Sequence, residues 1–429
     1  MTTVQIRGGH VLRPDMSVER ADVLFDRDAG TIRAVGDDLE GDDVLEAAGG
    51  LVMPGLVNAH THAAMTLLRG YADDKPLDRW LREDIWPAEA ALEPADVRAG
   101  TDLALAEMIR SGTTAFADMY FHMPEVVAAV EEAGLKARIA HGIVTVGKDD
   151  DAARADLEEG LDVAVAFDGA ANGRIQTAFA PHSLTTVSTG LLEEFVPEAR
   201  AAGVPLHFHA NETEDEVEPI VDAHGERPLA YADDLRMLTE RDFLAHGVHL
   251  DESEIGLLAD RGTSVVHCPA SNMKLASGMA PVERLLDAGV DVALGTDGAA
   301  SNNDLDVFDE MRDAAMVGKL AADDASAVPA EAVVRMATEG GNRALGFDGG
   351  RVQAGAAADL VVVDFDDPRM TPVHDHVSHL AYAATGTDVR HTVVDGEVLM
   401  RDRELTTLDL DAVRERAADR AAAIRDRVD

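Results

Sequence analysis

Pro54-Gly55-Leu56-Val57-Asn58-Ala59-His60-Thr61-His62 is an apolar run that ends in two histidines one residue apart. Residues i and i+2 of a strand point to the same face. A strand here would therefore aim both imidazoles from one edge of a sheet. Apolar runs near 52–59, 113–119, 137–144, 175–181, 205–211, 243–249, 263–268 and 291–296 alternate with amphipathic stretches. That alternation predicts βα units and a parallel sheet. Eight such units over roughly 300 residues predict an α/β protein with a (β/α)8 TIM-type barrel. No Gly-rich dinucleotide fingerprint follows the first strand, which disfavours a doubly wound open sheet.

Outside this region the pattern changes. Short strand-like runs such as Val4-Gln5-Ile6-Arg7 and Ala21-Asp22-Val23-Leu24-Phe25 precede it, and Asp359-Leu360-Val361-Val362-Val363-Asp364 follows it. We expect residues 1–52 and 350–429 to build one small β-sandwich from both termini, flanking a catalytic barrel at 53–349. The stretch 408–428, rich in Ala, Arg and Asp without Gly or Pro, should be a surface helix.

Barrel chemistry sits at the C-terminal ends of the strands, and those ends are where polar residues gather here. The fifth strand runs Pro205-Leu206-His207-Phe208-His209-Ala210-Asn211-Glu212, the sixth ends Ala245-His246-Gly247-Val248-His249, and the eighth ends Gly295-Thr296-Asp297-Gly298. With His60 and His62 they make a convergent group of nitrogen and oxygen donors suited to zinc or iron. The chemistry such a group serves is attack by water, whose pKa a divalent metal lowers to about 7. Carboxylates and imidazoles nearby would move the protons.

Composition narrows the alternatives. Cys268 is the one cysteine, so neither an intrachain disulfide nor a cysteine zinc site is possible, and its apolar context predicts a packed thiol. Asp and Glu number 81 against 37 Lys and Arg, a net charge of −44 spread along the whole chain. This repels nucleic acid and anionic membranes and fits a salty cytoplasm. No window approaches the roughly 20 apolar residues of a membrane span, and the N-terminus lacks a signal-peptide pattern. His249, His267 and the His374-x-His376-x-x-His379 cluster read as structural or surface histidines, and His207 as a packed residue orienting a ligand. Asp149-Asp150-Asp151 reads as a solvated loop.

The first histidine pair, His209-x-x-Glu212, His246 and the Gly295–Asn303 segment together resemble the amidohydrolase superfamily. The resemblance is closest to the 5-methylthioadenosine/S-adenosylhomocysteine deaminases. Met65-Thr66-Leu67-Leu68-Arg69-Gly70-Tyr71-Ala72-Asp73-Asp74, Ile85-Trp86-Pro87-Ala88-Glu89 and Pro269-Ala270-Ser271-Asn272-Met273-Lys274 carry it. It implies that His60, His62, His209 and Asp297 bind one divalent metal, zinc first and iron as the alternative. It further implies that Glu212 protonates the purine ring, while His246 and Asp297 position the attacking water and take its proton. Glu89 is expected to bind ribose hydroxyls, and His182 to contact the nucleoside. Trp86 is read as part of a pocket cover, and Arg154 as a candidate contact for the substrate's tail. The family's usual arginine after the third strand is replaced by His141, which leaves that tail short of a guanidinium fork.

The fourth strand, Ile175–His182, contains no lysine or carboxylate to bridge a second ion, so one metal is expected. The expected activity is hydrolytic deamination of methylthioadenosine, S-adenosylhomocysteine or adenosine. A guanine or cytosine deaminase, an s-triazine hydrolase and a non-catalytic metal-binding barrel are the alternatives. The expected partner is a small-molecule nucleoside, with no nucleic acid or membrane, in a cytoplasmic homo-oligomer.

Overall fold

The apolar stretch from Gly50 to Thr61 does not continue as one strand. In a computed structural model, which describes residues 2–428, it divides at Gly55. A Cβ at Gly55 would lie 2.1 Å from Thr114 Cγ2, so the chain can pass there only without a side chain. Before this point, Gly50–Pro54 pairs antiparallel with Leu360–Asp364 and parallel with His10–Leu12. After it, β1 (Leu56–Thr61) pairs parallel with β2 (Thr113–Tyr120). The run read as a single strand at 52–59 is thus two strands in two sheets.

Parallel pairing continues from β2 to β3 (Lys136–Ile143) and on to β4 (Ile175–Thr177), with Ala180–Pro181 also paired to β3. A second parallel set runs β5 (His207–Ala210), β6 (Phe243–His246), β7 (Ser264–His267) and β8 (Val292–Leu294). Hydrogen bonds join the two sets on both sides. His207 N donates to Phe179 O (3.1 Å) and His209 N to His182 O (2.8 Å) at one junction. At the other, Asp297 N donates to His60 O (3.0 Å), and Thr296 N donates to Asn58 Oδ1 (3.0 Å). Gly295 permits this second junction, since a Cβ there would sit 2.8 Å from the His60 backbone.

Helices such as Pro94–Arg110, Thr189–Ala201 and Val307–Ala322 follow strands and cover them with apolar faces. Asp149 caps the helix Asp150–Ala166 by accepting from Ala152 N. The acidic run read as a loop therefore opens a helix, where carboxylates meet the unpaired amides and the positive end of the helix dipole.

Strands from both ends of the chain share a seven-stranded sheet, and a four-stranded sheet packs against it through Val4, Ile6, Val23, Phe25, Val52, Leu360 and Val362. Lys136, at the opposite end of β3 from the candidate site, bonds Asp359 and Asp395 at 2.7 Å each and ties the two regions together. The helix Leu410–Val428 buries Val413, Ala417 and Ile424 along one face. Its Arg427 and Arg416 pair with Asp96 and Asp102 of the helix Pro94–Arg110. Cys268 is fully buried. Among the described residues, no helix is long and apolar enough to cross a membrane.

Candidate functional site

The C-terminal ends of β1, β5, β6 and β8 bring His60, His62, His209, His246 and Asp297 together, and all but the fully buried His60 line one cavity. One donor atom each from His60, His209, His246 and Asp297 lies within 4.8 Å of the others. The backbone there is unusual: Asn211 (φ 55°), His246 (φ 76°) and Asp297 (φ 59°) all sit in the left-handed region. Non-glycine residues are held there at a cost, and such strain clusters at functional sites.

The hydrogen-bond pattern around the imidazoles fits a cation. His209 Nδ1 donates to the His182 carbonyl (2.8 Å), and His246 Nδ1 to Asn272 Oδ1 (2.9 Å). Each ring therefore keeps an Nε2 lone pair for the cluster. His60 Nε2 is buried without a partner, while its Nδ1 meets His207 Nε2 at 2.8 Å. His207 thus orients a ring of the cluster. Burial, reinforced by neighbouring imidazoles, holds His209 well below the usual histidine range, which keeps it neutral and able to ligate. Burial alone would raise Asp297, yet the His60 and His62 imidazoles, 3.4 and 3.1 Å from Oδ1, hold its carboxyl well below the usual range. Asp297 Oδ2 is occupied by the Ser271 and Ser301 hydroxyls (2.7 and 2.8 Å), so Oδ1 is the oxygen turned to the histidines.

The mutually closest group contains His246, and His62 lies beside it against Asp297. His62 Nδ1 donates to the Met119 carbonyl (2.6 Å), and Nε2 lies 3.1 Å from Asp297 Oδ1. Burial opposes charge on this ring, but Asp297 overrides it and carries its pKa up to about 9. That proton and a divalent cation compete for the same Nε2 and Oδ1, and metal binding would release it.

Glu212 lies just beyond β5, buried, with Oε2 3.7 Å from His246 Nε2, and burial raises its carboxyl. The cavity measures about 450 Å³, a size suited to a small-molecule ligand. Its walls are largely apolar, with Trp80, Leu81, Trp86, Phe121 and Val144 among them. Trp80 is an anchor, buried and donating its indole N–H to Ala72 O (3.0 Å), whereas half-buried Trp86 faces the cavity. Glu89 also faces it. Burial pushes that carboxyl up to about 7, with His62 and the Tyr120 hydroxyl pulling the other way. His182 lines the cavity and stacks on His209 with ring centroids 4.4 Å apart.

Arg154 is not among the residues lining the cavity. Both guanidinium amines bond the Glu194 carboxylate (2.8 and 2.6 Å), and the group lies over the Phe195 ring on the outer helices. The expected contact with a substrate tail is corrected accordingly. The helix Asp150–Ala166 turns Arg154 outward, where an acidic neighbour claims it. The lysine that does reach the cavity is Lys148. It pairs with Asp156 (2.8 Å), which also accepts from His141 Nε2 (3.1 Å) and Val144 N (2.9 Å).

Sequence reasoning gave no role to Lys148, Ser271, Asn272 or Ser301. Three of them lie in the Pro269–Lys274 and Gly295–Asn303 segments that carried the resemblance, but nothing in their spacing shows which side chain meets which ligand.

The amidohydrolase family pattern matches residues 51–399. The chain belongs to the amidohydrolase family. It is similar to a 5-methylthioadenosine/S-adenosylhomocysteine deaminase of Halobacterium salinarum, 69% identical over 422 residues that cover 98% of each chain. A 5'-deoxyadenosine deaminase of Methanosarcina mazei is 44% identical, covering 97% of each. The crystal structure of a zinc-bound adenosine deaminase from Xanthomonas campestris superposes with a TM-score of 0.93 at 39% identity, covering 99% of this chain and 98% of that one. As an amidohydrolase, this protein is a hydrolytic enzyme, and its resemblance to the methylthioadenosine/S-adenosylhomocysteine deaminases is borne out by these relatives.

Proposed function

We propose that this amidohydrolase removes the amino group of adenosine-type nucleosides, with 5′-methylthioadenosine and S-adenosylhomocysteine as the expected substrates. One observation carries the reading. Two Nδ1-anchored imidazoles and one carboxylate oxygen converge beside a buried carboxyl that lies 3.7 Å from His246, under a cavity of nucleoside size. The names of the relatives agree with it. The architecture we read is a (β/α)8 barrel closed through the two hydrogen-bonded junctions, capped by a sandwich of the terminal sheets.

His60, His62, His209 and Asp297 would hold a divalent ion, zinc by analogy with the zinc-bound neighbour, with His246 at its edge. Such an ion supplies an acidified water at neutral pH. The chain's own groups do the rest. Glu212, raised by burial, carries a proton and gives it to the ring nitrogen beside the amino-bearing carbon. His246 Nε2 and Asp297 take the proton that water loses as its oxygen bonds to that carbon. The carbon becomes tetrahedral, and the proton passes to the amino group, which leaves as ammonia. The hydroxyl proton left on the new oxygen returns to Glu212 as the carbonyl forms, so one water enters and one ammonia departs. Glu89 faces the ribose and His182 the nucleoside, while the apolar wall excludes competing water.

The test is a panel of methylthioadenosine, S-adenosylhomocysteine, adenosine and guanine with the zinc-loaded enzyme in concentrated KCl. Ammonia release with a shift in purine absorbance is expected for the adenosine-type substrates. Guanine turnover alone would overturn the assignment. Glu212→Gln should keep its zinc and lose on the order of 10²–10⁴ in kcat.

A further inference from the structure

The turn between the helices Pro269–Lys274 and Val282–Asp287 places Ser277 against Glu212. Ser277 is buried, and its hydroxyl donates to Glu212 Oε1 at 3.3 Å. Glu212 Oε2 is the oxygen turned toward His246. The two carboxyl oxygens thus have different neighbours.

The turn is built to hold that hydroxyl in place. Ala276 on one side has φ 56° and Gly278 on the other has φ 135°, both outside the ordinary range for an L-residue. A Cβ at Gly278 would lie 2.8 Å from Val248 Cγ1, so the turn presses directly on the segment that follows β6. His249 completes the tie. Its Nε2 donates to the Ser277 carbonyl (2.8 Å), and its backbone N–H donates to Asn211 O (2.8 Å), one residue before Glu212. Ser277 N in turn donates to Asn272 O (2.9 Å), and the Asn272 side chain holds His246. Ser277 is thereby tied to His249, which also holds Asn211 beside Glu212, and to Asn272, which holds His246.

We infer that Ser277, anchored by His249, is a positioning residue that orients the Glu212 carboxyl for proton transfer. This rests on Glu212 being the proton carrier. A hydroxyl donor on Oε1 sets the rotation of the carboxyl plane, so Oε2 is the oxygen that holds the transferable proton. Once Glu212 has given that proton away, the same hydroxyl stabilises the carboxylate left behind. At 3.3 Å the contact is long for a hydroxyl and a carboxylate, and catalytic hydrogen bonds commonly tighten only when substrate is bound. His249, read from sequence as merely structural, acquires a function through this tie.

The experiment compares full-length, zinc-loaded Ser277→Ala, Ser277→Thr, His249→Ala and Glu212→Gln by kcat, KM, zinc content and melting temperature. Ser277→Ala should lower kcat by about tenfold, as loss of a supporting hydrogen bond does, with KM and zinc content unchanged. Ser277→Thr should recover most of kcat because the hydroxyl returns. Adding His249→Ala to Ser277→Ala should cost less than the two separate losses combined, since both remove one linkage. Wild-type kcat in Ser277→Ala would overturn the inference, as would a loss that Thr does not recover or that zinc content follows. Full turnover in Glu212→Gln would instead overturn the reading on which the inference rests.

Discussion

At the scale of single residues, the candidate site depends on which nitrogen of each imidazole is engaged. Asn272 holds His246 by Nδ1, and that leaves Nε2 facing Glu212 and the cluster. Removing such a supporting partner typically costs 10–100-fold in metal affinity or activity. Asn272→Ala should therefore lower kcat by about tenfold or more. Chelator competition should show zinc bound more weakly than in Asn272→Asp, which keeps an acceptor oxygen. The His-x-His pairs were legible because strand periodicity puts both imidazoles on one face, and Glu212 and Asp297 because they fall at the C-terminal ends of apolar strand runs. The partners on their far nitrogens were not. Ser271 and Ser301 reach Asp297 from helix and loop segments 30 residues apart in sequence, and serine there has no distinguishing pattern.

At the scale of elements, the helix Glu214–His224 follows Glu212 directly, and its Glu216 accepts the Glu212 backbone N–H (2.8 Å). Burial pushes the Glu216 carboxyl from 4.5 up to about 8, against that amide and with the charges of Glu212 and Glu254 adding to it. The sign follows from linkage. The folded chain keeps a proton that the unfolded chain releases above about pH 4.5, so this stabilisation is complete below that pH. It is lost as pH climbs through about 8. Glu216→Gln stays neutral and should remove this decline. Urea midpoints at acidic, neutral and alkaline pH should show the variant gaining on the wild type as pH rises. Elements were legible where apolar periodicity is long, as in β2 and β3. The division of the first apolar run was not, because it depends on Thr114 lying against Gly55.

At the scale of the whole molecule, the excess of 81 acidic over 37 basic residues makes the folded chain repel itself. Many basic residues are already committed to carboxylates, Arg154 to Glu194 and Lys148 to Asp156 among them. Raising KCl from about 0.1 M to above 1 M shortens the screening length from about 10 Å to 3 Å or less. The melting temperature should rise with it, and an equal osmolarity of sucrose should not reproduce the full gain. A melting temperature that falls with KCl would contradict this account.

By itself the sequence determined the family, the parallel βα order, the acidic surface and the strand ends where the chemistry gathers. These follow from patterns that are local or spread along the chain, and such patterns survive in one dimension. Tertiary structure decided which atoms meet. It set His246 in the closest donor group, laid His62 Nε2 3.1 Å from Asp297 Oδ1, and turned Arg154 outward. It also bent a strained turn so that Ser277 reaches Glu212. Those outcomes depend on distances of about 3 Å between residues tens to hundreds apart. Only packing brings them together.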